Sequence, residues 1–160
     1  MAVNMNPVKI LLVEDSPSDV RLIREALRDT PLPVQITVAR DGMEASDYLR
    51  NVQNGTEIRP DLVLLDLNLP KKNGREVLAE IKGSDNLRQI PVLIMTSSCA
   101  EDDITQAYAL NANCYITKPS DLNDYMDVVR SIEDFWFMTA TLPDAFQGQQ
   151  AMAASAARAA

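Results

Sequence analysis

Histidine is absent from all 160 residues of the sequence. Imidazole is the side chain that titrates nearest neutral pH and the commonest metal ligand, so its absence excludes histidine catalysis and histidine-ligated metal sites. Cysteine is almost as scarce: Cys99 and Cys114 are the only two, and their spacing is not that of a metal site. Two free thiols in a reduced compartment are the simplest interpretation, which predicts a cytoplasmic protein.

The sequence also lacks long apolar runs and an excess of positive charge. No stretch reaches the roughly 18 apolar residues of a transmembrane helix, and the N-terminus lacks the basic region and cleavage site of a signal peptide. With 15 Lys and Arg against 23 Asp and Glu, the net charge is −8. Nucleic acids and anionic membrane surfaces attract clustered basic residues, so neither is expected as a partner.

What the sequence does contain is enough apolar residues, 46 % of the chain, to form the core of one domain. Five short runs are rich in Val, Ile and Leu and do not alternate with polar residues, which is typical of strands buried on both faces of a parallel sheet. These runs are 8–15, 34–40, 61–67, 91–97 and 114–119. Helical patterns follow each run, and the first has Ser16 as N-cap, Pro17 at the first helical position and Asp19 closing a capping box. The pattern predicts an α/β domain with right-handed crossovers.

Acidic, hydroxyl and basic side chains stand at the carboxyl ends of these runs, where open α/β sheets bind ligands. They are Glu14 and Asp15 after the first run, Asp66 after the third, Thr96 in the fourth and Lys118 in the fifth. Three carboxylates held close together repel one another, and a hard divalent cation such as Mg²⁺ relieves that repulsion. Asp66 can then act as the nucleophile of a phosphoryl transfer, with Thr96 and Lys118 stabilising the transferred group.

Four motifs carry a likeness to a known family. LLVEDSPSD, DLVLLDLNLPKKNG, LIMTSS and YITKP, in this order between about Val8 and Phe137, resemble the receiver domain of two-component response regulators. The resemblance implies a flavodoxin-like (βα)5 fold, doubly wound, with a five-stranded parallel sheet in the order 2-1-3-4-5. It also implies a signalling domain rather than an enzyme, which accepts a phosphoryl group from a partner sensor histidine kinase and assists only its own phosphorylation and dephosphorylation.

The resemblance also implies roles for the residues at the strand ends. Asp66 matches the phosphoacceptor and a ligand of Mg²⁺, Asp15 the direct Mg²⁺ ligand and Glu14 the neighbouring acid that holds the metal or its water. Thr96 matches the switch hydroxyl and Lys118 the phosphate-binding lysine.

Further positions match the family's motifs nearby. Asn68 is expected to offer its backbone carbonyl to the metal, and Asn68 with Ser98 occupies the two variable positions that tune dephosphorylation. Tyr115 matches the aromatic switch residue that turns inward on activation, and the bond between Lys118 and Pro119 matches one that is cis in the family. Asn111 stands where a helix-ending glycine is usual, and asparagine tolerates the left-handed conformation.

Two features point to a subfamily. The connection before the third strand is long, and the NCYITKP and SIEDFW segments are similar to those of stand-alone receivers paired with phytochrome-type kinases. We expect an N-terminal extension over 1–7, the receiver domain over 8–138, and a flexible Ala- and Gln-rich tail over 139–160. Such a chain has no room for an output domain, so its output is expected to be protein–protein contact or onward phosphotransfer.

Two other functions fit part of the pattern. A Mg²⁺-dependent phosphatase with an aspartyl nucleophile is one, although such enzymes commonly carry a second acid two residues later, where this chain has Asn68. A receiver-like scaffold that is never phosphorylated is the other, and the intact set of acids argues against it.

The last predicted helix, DLNDYMDVVRSIEDFWFM, has more apolar residues than one core stripe needs. The stripe consists of Leu122, Met126, Val129 and Ile132. The additional apolar residues are Tyr125, Val128, Phe135, Trp136 and Phe137. Two interpretations stay open: a wide core face, or an interface for a homodimer or a kinase.

Overall fold

The computed structural model describes residues 6–143. Its strands form one parallel sheet in the order 2-1-3-4-5, which confirms the predicted fold. The strands are β1 (Val8–Val13), β2 (Val34–Ala39), β3 (Leu62–Leu65), β4 (Val92–Thr96) and β5 (Cys114–Thr117). The helices are α1 (Pro17–Leu27), α2 (Gly42–Gln53), α3 (Gly74–Gly83), α4 (Glu101–Ala109) and α5 (Leu122–Ile132), followed by a π-helical segment (Glu133–Thr139). The division into 1–7, 8–138 and 139–160 stays a prediction, since most of both flanking segments lies outside the described residues.

Helices cover both faces of the sheet, which is why the central strands are apolar throughout. Successive strand residues point to opposite faces, so β1 and β3 contribute to two separate cores. One core lies under α2, α3 and α4 and includes Leu11, Val13, Val63, Leu65, Leu49, Leu78, Ile81 and Ala107. The other lies under α1 and α5 and includes Ile10, Leu12, Leu62, Leu64, Ile23, Leu27, Val129 and Ile132. The packed sheet therefore fixes the positions of the side chains at the carboxyl ends of its strands.

The start of α1 differs from the predicted capping box. Ser16 is the N-cap, and its hydroxyl accepts a hydrogen bond from the Asp19 amide at 3.3 Å. The Asp19 carboxylate does not return to the Ser16 amide, which donates instead to Glu14 Oε1 at 3.0 Å. Asp19 is thereby left to pair with Lys118, 99 residues further along the chain.

In the loop between β3 and α3, the backbone at Gly74 packs closely against the backbone at Asp66. Asn73 caps α3 and forms a capping box with Glu76. A β-carbon on Gly74 would lie 2.2 Å from the Asp66 carbonyl oxygen, so only glycine fits at this position. Lys71, in the same loop, has a positive φ of 67°, and Asn111 after α4 has one of 68°, as expected for a left-handed helix end.

Helix α5 and the segment after it correct the predicted stripe and two of the five interface candidates. Leu122 is 56 % exposed and is not a core residue, whereas Tyr125 and Phe137 are 4 % and 9 % exposed and belong to the core under α1 and α5. Within α5 the buried residues are Tyr125, Val129 and Ile132, at helical spacing, and Leu122 is the exposed first residue of the helix. After Ile132 the helical period changes, because α5 ends there and a π-helix follows. A π-helix aligns residues five apart, which places Phe137 rather than Trp136 below Ile132. Of the interface candidates, Phe135 is exposed and Val128 and Trp136 are half-buried.

Candidate functional site

The carboxyl ends of β1 and β3 lie side by side at one edge of the sheet. Val13 pairs with Leu65 across the two strands, and the Asp66 amide donates to the Val13 carbonyl at 3.0 Å. The Glu14 amide donates to the Ala39 carbonyl of β2 at 2.9 Å. Glu14 and Asp66 are therefore fixed next to each other by the sheet hydrogen bonds of their own backbone.

Three carboxylates meet at this edge. Oxygen atoms of Glu14, Asp15 and Asp66 all lie within 4.8 Å of one another. Glu14 and Asp66 are buried and Asp15 is exposed, so the group is open to solvent on one side. Hard oxygen donors, close spacing and an open side fit a divalent cation that keeps some of its water.

Lys118 reaches the same carboxylates from the end of β5. Its Nζ lies 2.8 Å from Asp66 Oδ2, 2.6 Å from Glu14 Oε2 and 2.7 Å from Asp19 Oδ2. Burial alone would lower the pKa of Lys118, but its hydrogen bonds to the three carboxylates raise that pKa above the usual value. Burial raises the pKa of Glu14 to about 7, against the opposing effect of the Lys118 ammonium. One ammonium cannot neutralise three acids, so the site has an excess of negative charge that a cation would relieve.

Thr96 and Asn68 close the site on the side of β4. Thr96 is fully buried at the end of β4, and its hydroxyl accepts a hydrogen bond from Asn68 Nδ2 at 3.4 Å. The backbone amide of Asn68 donates to Asp66 Oδ1 at 2.9 Å. The Thr96 carbonyl accepts from the Lys118 amide at 2.7 Å. Asn68 thus contacts both Asp66, through its backbone, and Thr96, through its side chain.

Tyr115 is connected to the loop after β4. Its hydroxyl donates to the Ser98 carbonyl at 2.8 Å, while the Ser98 hydroxyl contacts Asp103 at the start of α4. Asp103 also forms an ion pair with Arg75 of α3. Ser98 is therefore held between Tyr115 and two helices, and its side chain is occupied by Asp103.

One implied feature is wrong in this structure. All described peptide bonds are trans, including the bond between Lys118 and Pro119, which the resemblance implied to be cis. The trans form is the ordinary one before proline.

Sequence reasoning missed Asp19 as a site residue. In sequence it looks like the third residue of a capping box after Ser16, and nothing local indicates a contact with Lys118. A usable signal is its position in the first turn of α1, the helix that begins just after Glu14 and Asp15.

The fold and the arrangement of acids, lysine and threonine are those expected of a receiver domain, and comparison with known families gives the same class. The family model of the response regulator receiver domain matches residues 10–130, and the chain therefore belongs to that family. No helix within residues 6–143 is long and apolar enough to span a membrane.

Individual relatives extend the likeness. The chain is 48 % identical over 149 residues to Response regulator Rcp1 of Synechocystis sp., a match that covers 91 % of this chain and 100 % of that protein. The solved structure of the phosphorylated cyanobacterial phytochrome response regulator RcpA is 52 % identical, with a TM-score of 0.83 over 86 % of this chain and 99 % of the other. The Mn²⁺-bound form of Rcp1 is 48 % identical, with a TM-score of 0.82 and the same coverage of both chains.

Proposed function

We propose that this response regulator accepts a phosphoryl group on Asp66 from the phosphohistidine of a partner sensor kinase, in a reaction that requires Mg²⁺. The observation that carries the proposal is the position of the Asp66 carboxylate, which belongs to an acid cluster suited to a cation and also accepts a hydrogen bond from the ammonium of Lys118. The chain has no histidine, so the donor group must come from another protein.

The residues that would hold the cation are the carboxylates of Glu14, Asp15 and Asp66, with the backbone carbonyl of Asn68 as a further ligand. When bound, the ion would neutralise charge on the acids and on the incoming phosphoryl oxygens. A cation is supported by the 4.8 Å spacing of the carboxylate oxygens and by their solvent-open side. Mn²⁺ is bound in the structure of the relative Rcp1, and Mg²⁺ is the ion we propose for this chain.

In the transfer step, a carboxylate oxygen of Asp66 attacks phosphorus and forms an acyl phosphate. The phosphorus–nitrogen bond of the donor breaks, and its electron pair returns to the imidazole of the kinase. Lys118 and the Thr96 hydroxyl would stabilise the charge on the transferred oxygens through hydrogen bonds. Asn68 and Ser98 would set the rate at which the acyl phosphate is hydrolysed.

Phosphorylation would then alter the face around β4 and β5. The phosphorylated residue would carry about −1.5 to −2 charge in place of the single negative charge of the carboxylate. Its oxygens would accept from the Thr96 hydroxyl, which now accepts from Asn68. The Tyr115 hydroxyl donates to the Ser98 carbonyl in the loop after β4. We propose that phosphorylation shifts this loop and Tyr115 to a second arrangement. The signal would leave the domain through protein contacts at this face or through onward phosphotransfer.

The kinase partner is proposed to be phytochrome-like. RcpA is a phytochrome response regulator, and two further structures similar to this chain, at 42 % and 36 % identity, are bacteriophytochrome response regulators. A cytoplasmic location belongs to the same proposal and is supported by the two free thiols. A homodimer through the exposed part of the last helical segment, around Phe135 and Trp136, is proposed as well.

The test is phosphorylation by acetyl phosphate, with and without Mg²⁺, followed by mass spectrometry and by lability to hydroxylamine. Wild type should gain one labile phosphate only with Mg²⁺, and Asp66→Asn should gain none. Asp47→Asn is the control, since Asp47 is an exposed residue of α2 that pairs with Arg50. Equal labelling of Asp66→Asn and wild type would refute the assignment of Asp66. Release of inorganic phosphate from many substrate equivalents would favour the phosphatase, and no labelling under any condition would favour the scaffold.

A further inference from the structure

The ammonium of Lys118 uses all three of its donors on carboxylates. A lysine ammonium has three N–H donors, and Nζ contacts one oxygen each of Glu14, Asp19 and Asp66 at 2.6–2.8 Å. Glu14 and Asp66 belong to the acid cluster suited to a cation. Asp19 does not belong to that cluster, so it is not one of the proposed ligands of the cation.

Asp19 is well placed to keep that bond. Its amide is fixed by the Ser16 hydroxyl, and its side chain is only 23 % exposed beside the largely buried ammonium. It lines a cleft of about 430 Å³ together with Lys118 and Tyr125. Burial, followed by the negative charge of Asp19, raises the pKa of Tyr125, which lines the same cleft.

We propose that Asp19 is a positioning residue that holds the Lys118 ammonium beside Asp66 when Glu14 and Asp66 are engaged with a cation. The inference rests on the proposed function of Asp66. A divalent cation repels an ammonium at short range, and a carboxylate outside the cation site is needed to retain the lysine. Because Asp19 uses one donor, two donors remain for the oxygens of a phosphoryl group on Asp66.

The first test compares phosphorylation rates with acetyl phosphate at saturating Mg²⁺. Asp19→Asn should slow phosphorylation about tenfold, the change expected for one charge-assisted hydrogen bond, and Asp19→Glu should recover part of the rate. The Mg²⁺ concentration for half-maximal rate should change by no more than about twofold, because Asp19 is not proposed as a ligand. An unchanged or faster rate in Asp19→Asn would overturn the proposal, as would a loss confined to Mg²⁺ affinity.

The second test needs no catalysis and uses metal-free protein. Urea unfolding of wild type, Asp19→Asn, Lys118→Met and the double variant measures the coupling between the two side chains. We expect Asp19→Asn to destabilise wild type and to have little effect once Lys118 is replaced. Additive effects of the two substitutions would contradict the proposed contact.

The controls separate this inference from the proposed function. Glu25→Gln removes the same charge from the same helix, at an exposed residue that pairs with Arg28, and should phosphorylate at the wild-type rate. In the Lys118→Met background, Asp19→Asn should not slow phosphorylation further. If wild type gains no phosphate, the proposed function fails; if wild type is labelled on Asp66 and Asp19→Asn matches it, only the role of Asp19 is refuted.

Discussion

At the scale of single residues, Glu14 makes the free energy of unfolding depend on pH. Its pKa is raised by burial to about 7 from an ordinary value of 4.5. Between these values the folded protein holds a proton that the unfolded chain has released, so the free energy of unfolding decreases as pH rises. The contribution is complete below about pH 4.5 and is lost as pH passes the folded pKa near 7.

Glu14→Gln should remove this dependence. In metal-free protein with chelator, we expect the stability of the variant relative to wild type to rise between pH 5 and pH 8, by at most about 1.4 kcal/mol per pH unit. Urea unfolding at several pH values measures it, with the exposed Glu25→Gln as control. A constant difference between Glu14→Gln and wild type across this range would show that Glu14 does not carry the effect.

Tyr125 presents a second residue-scale case, because its buried hydroxyl has no hydrogen-bond partner among the described residues. Such a group costs about 1–3 kcal/mol, so Tyr125→Phe should raise the free energy of unfolding by about 1 kcal/mol. Tyr48→Phe is the matched control and should lower it, since the Tyr48 hydroxyl donates to the Ile58 carbonyl at 2.6 Å. A loss of stability in Tyr125→Phe would mean that the hydroxyl does find a partner.

The residues that could be identified from sequence were those whose position follows from strand ends. Asp66, Thr96 and Lys118 each sit at the carboxyl end of an apolar run, and parallel strands bring such ends together. Asp19 lies on a helix, and its partner is chosen by the direction of the side chain. Local pattern cannot supply that direction, because a capping box and a contact with Lys118 require the same residue type.

At the scale of elements, the loop from β3 to α3 depends on Gly74. A β-carbon there would overlap the Asp66 carbonyl oxygen, which is backbone and cannot move aside cheaply. Gly74→Ala should therefore lower the free energy of unfolding by about 2 kcal/mol or more. Because the shifted atom belongs to the proposed phosphoacceptor, Mg²⁺-dependent labelling of Asp66 should also slow.

Gly83, at the other end of α3, is the matched control. A β-carbon on Gly83 would meet no atom within 4 Å. Gly83→Ala should thus be neutral or stabilising by up to about 1 kcal/mol, with unchanged labelling. Equal stability of the two alanine variants in urea unfolding would show that the loop adjusts freely.

The end of α5 shows where the spacing of apolar residues no longer predicts which side chains are buried. An α-helical period continued beyond Ile132 predicts the wrong inward residue, because the segment Glu133–Thr139 changes to a π-helix. Apolar pattern alone does not distinguish a buried aromatic from an exposed one in a segment with three of them. The sequence pattern therefore does not separate the core residue Phe137 from the exposed Phe135.

At the scale of the whole molecule, the order of the strands followed from the family motifs, and the parallel sheet from five continuous apolar runs. Burial on both faces leaves few ways to arrange such runs. Contacts with other molecules leave no comparable pattern in one sequence, because cores and interfaces use the same types of apolar residue.

The proposed homodimer would form at the surface around the π-helical segment. Phe135 and Met138 are each 54 % exposed, and the Phe135 ring packs edge-to-face on Trp136 with centroids 5.2 Å apart. A large exposed apolar patch usually marks a contact site. We expect equilibrium sedimentation to show a dimer for wild type and a monomer for Phe135→Ser, which leaves the buried Phe137 in place. Met43→Ser removes an exposed apolar side chain from α2, outside this surface, and should stay dimeric. A monomeric wild type would contradict the homodimer and leave the kinase as the partner for this surface.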